Sequence, residues 1–144
     1  MLMNILLGCC LVIITTFIHA AAMVAVLQGL RIAYAARWVR ATGLMKVTVV
    51  AALVLTMSLA SLIEAGLWAA TYLWVGAIGD FEKALYFSTV TYTTLGFGDV
   101  VMERGWRLLA SLEAANGIIM FGWTTALIVA VVQRVYMTKE KGDV

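Results

Sequence analysis

Proline is absent from all 144 residues, so no helix interior carries the ring that breaks its ladder, and any bend has to come from glycine or from packing. Charge is scarce: Asp, Glu, Lys and Arg make up 12% of the chain, against about 25% in ordinary soluble domains. Residues 1–30 carry no charge at all. The net charge of +2 is too small to point to nucleic acid. Histidine occurs once, at His19, and cysteine twice, at Cys9 and Cys10. Side chains of adjacent helical residues diverge, so no internal disulfide is expected and the pair reads as two small apolar thiols. What fills the chain instead is apolar: 64% of residues are hydrophobic, with a mean hydropathy of +1.00. Such a composition excludes a soluble globular domain and implies an integral membrane protein.

Taken in order, residues 1–30 are long enough to cross a hydrocarbon core of about 30 Å. They read as a retained span rather than a cleaved leader, because no Lys or Arg precedes the apolar run. His19 is its main polar feature; a bond to a neighbouring helix is the plain reading, a ligand or sensor role the sharper one. Residues 31–46 bring Arg31, Arg37, Arg40 and Lys46 with no acidic residue, a basic segment that belongs on the cytoplasmic side. It is either a connector or a short interfacial helix, with Arg31, Arg37 and Arg40 placed to meet anionic lipid headgroups. The second span is expected over 47–78, interrupted only by Glu64. An ionised carboxylate facing lipid is costly, so Glu64 faces protein, either as a buried polar pin or as a proton-sensitive gate.

Asp80 is placed to cap a helix over 81–93, which is too short to cross and suits a re-entrant segment surrounded by protein. A third span is expected over 105–136, followed by a short basic tail at 137–144. With both basic segments in the cytoplasm, three spans leave the N-terminus outside, most simply in a plasma membrane.

Between the short helix and the third span lies Thr93-Thr94-Leu95-Gly96-Phe97-Gly98-Asp99. Two glycines one residue apart admit left-handed backbone, so that successive carbonyls can face one side and replace the water shell of a bare cation. The run Thr94 to Asp99 resembles the potassium-channel filter signature, with Leu for Val and Phe for Tyr. The preceding Tyr86-Phe87-Ser88-Thr89-Val90-Thr91-Tyr92 is similar to that family's aromatic, Thr-rich pore helix.

The resemblance covers residues 47–136 and implies an all-α membrane fold: outer helix 47–78, pore helix 81–93, filter 94–99 and inner helix 105–136, preceded by an extra transmembrane helix. It implies a homotetrameric pore, since one filter loop cannot surround an ion. Potassium ions, as permeant ligands rather than cofactors, would sit at Thr94, Leu95, Gly96 and Phe97, with Gly98 allowing the outer turn. Asp99 would form the outer mouth, and Tyr86, Phe87, Val90, Thr91 and Tyr92 would brace the filter; some family members carry Glu where Val90 stands. Gly117 falls at the family's hinge position and Gly122 follows; both are equally read as small residues for close packing. Ile118, Phe121 and Thr125 would face the cavity or inner gate. Glu113 is expected to face the back of the pore helix and to take a hydroxyl from Thr91 or Tyr92, with Asn116 a second buried polar group.

The function implied is passive, potassium-selective conduction, with no bond made or broken and hence no enzyme. A weakly selective monovalent cation channel is the nearest alternative. A small membrane transport or binding subunit using His19, Glu64 and Glu113 is the alternative from another class.

Overall fold

A computed structural model describes residues 1–35 and 43–137. Four helices follow in order: α1, Leu2–Ala35; α2, Gly43–Trp74; α3, Phe81–Tyr92; and α4, Arg107–Met137. There are no strands among the described residues. The three long helices are each long and apolar enough to span a membrane, whereas the 12 residues of α3 reach only about 18 Å. α1 packs against α2 and α4, and α3 is wedged between α2 and α4.

The helix ends differ from the apolar runs, for reasons of local chemistry. α1 continues through Arg31 to Ala35, and α2 already begins at Gly43, so both ends of the 31–46 segment are helical. Arg37 and Arg40 lie outside the described residues, as does the tail from 138 onward. The second span stops at Trp74, not at residue 78 as the apolar run suggests. Gly76 takes φ +70°; its N–H donates to the Leu73 carbonyl at 3.1 Å and that of Ala77 to Tyr72 at 2.9 Å. This is a Schellman turn, in which a left-handed residue folds the chain back over the last carbonyls. Hydropathy cannot register it, because valine, alanine and isoleucine surround the glycine.

The short helix opens where Asp80, with extended backbone at φ −123° and ψ 135°, accepts the Lys83 N–H at 2.8 Å. That bond satisfies one of the free amides of the first turn. The third span begins at Arg107 rather than 105, because Trp106 still belongs to a turn, its N–H donating to Glu103 at 2.9 Å.

Two apolar clusters hold the bundle. One, near α3, joins Leu11, Trp68, Tyr72, Phe87, Tyr92, Leu109 and Met120. The other, toward the opposite end, joins Leu30, Leu53, Met57, Leu127, Val131 and Val135. Between them, on three different helices, fall His19, Glu64 and Thr124, the imidazole bonding to each of the other two. This polar layer divides the core.

Candidate functional site: the loop after α3 and its supports

The loop that follows α3 starts with another Schellman turn. The Thr94 N–H donates to Thr91 at 2.9 Å and the Leu95 N–H to Val90 at 2.9 Å, the same two-bond pattern that ends α2. Here the left-handed position is held by Thr94, at φ +59°. A β-branched residue seldom takes this conformation, at a cost of roughly 1–2 kcal/mol. Gly96 at φ +55° and Gly98 at φ +80° repeat the positive angle, so it recurs at every second residue from 94 to 98. Among the described residues Thr94 is the only non-glycine with positive φ.

Leu95 and Phe97 alternate with these positions and are exposed, at 58% and 66%. Asp99 closes the loop and accepts the Tyr86 hydroxyl at 2.7 Å. That bond holds the Asp99 carboxyl below the usual carboxylate range and raises the Tyr86 phenol. A cavity of about 300 Å³ lies behind the loop, lined in part by Tyr86, Phe87, Val90 and Thr91 of α3, by Gly96 and Gly98, and by Arg107 of α4.

α3 is anchored from behind by two carboxylates. Ser88 and Tyr92 are four residues apart and share the buried face of α3 with Ala84 and Phe87, as helical spacing requires. The Tyr92 hydroxyl donates to Glu64 of α2, and the Ser88 hydroxyl lies between Glu113 of α4 and the Ala65 carbonyl, 2.6 Å away. Glu113 also accepts the Tyr72 hydroxyl at 2.5 Å. Its partners are therefore Ser88 and Tyr72, not Thr91 or Tyr92. The register of α3 turns Thr91 toward the cavity and gives Tyr92 to Glu64. Phe87 is buried with its ring edge-on to Tyr72, centroids 5.5 Å apart.

Glu64 has a further partner that reading the chain element by element does not supply. His19 Nδ1 lies 3.0 Å from its Oε1, and His19 Nε2 lies 3.0 Å from the Thr124 hydroxyl. A neutral imidazole with its proton on Nδ1 donates to the carboxylate and accepts from the threonine, so both ring nitrogens are satisfied. His19, Glu64 and Glu113 are all fully buried. Asn116 donates to Thr15 of α1 at 2.8 Å, a second polar tie between α1 and α4. The signal for these partners was present: hydroxyls on apolar helices at i, i+4 spacing have to meet something polar inside a membrane. Which helix supplies the partner depends on packing.

On α4, Gly117 is buried, and a Cβ there would stand 1.9 Å from the Tyr92 carbonyl oxygen. The close approach of the two backbones by itself accounts for glycine at 117. A Cβ at Gly122 would meet nothing within 4 Å. Ile118, Phe121, Gly122 and Thr125 lie on the exposed face of α4, with the Phe121 ring edge-on to Tyr92 at 5.9 Å.

No curated protein and no solved structure matches the chain. A family model described as ion channel matches residues 44–134. That segment is more than half of the sequence and holds α3, the loop and its supports on α2 and α4. The chain belongs to this ion channel family.

Proposed function

We propose that the protein is the subunit of a potassium-selective channel, and that the loop 94–98 is its filter. The observation that carries the reading is the alternation of positive φ at Thr94, Gly96 and Gly98 directly beyond the C-terminus of α3. Alternating the backbone hand turns successive peptide planes so that their carbonyls face one side. Such carbonyls, with the Thr94 hydroxyl, take the place of a potassium ion's water shell. The C-terminal end of α3 adds a partial negative charge at the same place, and Asp99 adds a full one at the mouth.

One loop offers an ion only one wall, so four copies would surround the axis with cyclic symmetry. The exposed face of α4 bearing Ile118, Gly122 and Thr125 then lines or borders the pore, and the filter end of the bundle faces outward, opposite the basic segment after α1. Anionic lipids would meet Arg31, Arg37 and Arg40 on the inner side. The proton-relay alternative gains no support from the two carboxylates: among the described residues no hydrogen bond joins the Glu64 group to the Glu113 group, and each braces α3 separately.

The test is flux from purified protein in liposomes, with reversal potentials in mixed potassium and sodium. The reading requires potassium preference, and loss of conduction in Gly96→Ala, whose Cβ the positive φ opposes. Equal permeability of the two ions would leave a weakly selective cation channel.

A further inference from the structure

We propose that α1 is a working part of the filter assembly and that His19 is a positioning residue for it, acting through Glu64 on Tyr92 at the base of the loop. The inference rests on the potassium-channel reading and extends it to a helix that lies outside the matched segment 44–134.

Tyr92 is the last residue of α3 and stands two positions before the strained Thr94. It is fixed at three points. Its hydroxyl donates to Glu64, its carbonyl abuts α4 at Gly117, and its ring meets Phe121. The second and third belong to the channel segment alone. The first does not, because the orientation of Glu64 is shared with His19. The Glu64 carboxylate gives one oxygen to Tyr92 and the other to His19 Nδ1 at 3.0 Å. The imidazole is in turn tethered at Nε2 by Thr124 of α4, also at 3.0 Å. The Trp123 ring lies over it at 5.4 Å, tilted by 44°.

A single imidazole from α1 thus ties α2 to α4 at the level of the loop's base, and those are the two helices on which α1 chiefly packs. A carboxylate with one of its two partners removed, buried where no water replaces it, turns toward whatever donor remains. Tyr92 is that donor, and Thr94 follows Tyr92. Because selectivity depends on the filter sites staying formed, a shift at Tyr92 is read out as a change in ion preference.

The experiment compares potassium over sodium permeability, from reversal potentials of the full-length protein in bilayers, with assembly followed by cross-linking. His19→Phe keeps the ring volume and removes both hydrogen bonds. The expected result is an assembled channel whose permeability ratio falls by up to about tenfold, the change that loss of one buried hydrogen bond corresponds to. His19→Gln can donate to Glu64 and accept from Thr124, and is expected to restore the ratio. Tyr92→Phe reproduces the His19→Phe defect, and the double variant adds nothing to it, as two links of one chain require.

Should His19→Phe not assemble, Thr124→Val and Tyr92→Phe carry the same expectation. A parental ratio in assembled His19→Phe, or in Tyr92→Phe, overturns the proposal while leaving the channel reading intact. Absence of potassium flux from the parent protein overturns both.

Discussion

Thr94 and Gly76 occupy the same place in the same kind of turn, yet only one of them is glycine. At the end of α2 nothing but chain reversal is asked of the residue. At the end of α3 the proposed filter also calls for a side-chain hydroxyl, and the backbone bears the cost. Thr94→Gly is therefore expected to keep the turn, relieving roughly 1–2 kcal/mol of left-handed strain, and still to lower potassium conduction, because the hydroxyl is lost. Single-channel conductance together with the thermal stability of the purified protein would show the two effects moving in opposite directions.

Asp99 makes a prediction in pH. Its carboxyl lies below the usual range because Tyr86 donates to it. The contact is complete above the ordinary carboxylate value of about 4 and is lost only as pH falls through the lowered value. Tyr86→Phe removes the donor, so the acid block of current is expected at higher pH in that variant than in the parent. At this scale the sequence was informative about residue types: the glycine pair, the aspartate after it and the intramembrane carboxylates could all be picked out. It was silent on the left-handed backbone of Thr94, because a left-handed threonine has no signature apart from the turn that enforces it.

Among the elements, the contact between α3 and α4 makes the sharpest demand. Gly117→Ala places a methyl group within bonding distance of the Tyr92 carbonyl, so α4 must move away from the base of the loop. Overpacking of this kind costs about 1–3 kcal/mol, and the variant is expected to lose both thermal stability and conduction. Gly122→Ala meets no atom of its own subunit and is expected to keep its thermal stability. A pair of melting curves distinguishes the positions, whereas a pure hinge role at Gly117 would leave its melting curve close to the parent's.

The number and kind of the helices were legible from hydropathy and length, since a 12-residue helix between two spans has few places to go. Their ends were less so. Apolar runs continue past Trp74 while hydrogen bonding stops, and helix continues past Leu30 although charge begins. Partner choice was the least legible: Glu113 takes Ser88 and Tyr72 because the register of α3, set by Ala84 and Phe87 packing inward, turns Thr91 to the other side.

For the whole molecule, assembly is the central prediction. Chemical cross-linking in membranes or detergent is expected to trap species up to four chains, and potassium flux to track the four-chain form. A uniform two-chain or one-chain species that conducts would remove the ring of filters from the account.

The layer of His19, Glu64 and Thr124 between the two apolar clusters has one more consequence, for insertion and docking. Helices already immersed in lipid gain little from hiding one oily surface against another, so apolar packing alone leaves them free to slide along their axes. A slip of one turn, about 5.4 Å, would carry the imidazole off its carboxylate, stranding the ring among aliphatic side chains and leaving Glu64 with Tyr92 alone. The layer therefore works as a keyway. It sets the depth at which the first helix stops, and so determines that the histidine comes to rest level with the foot of the loop.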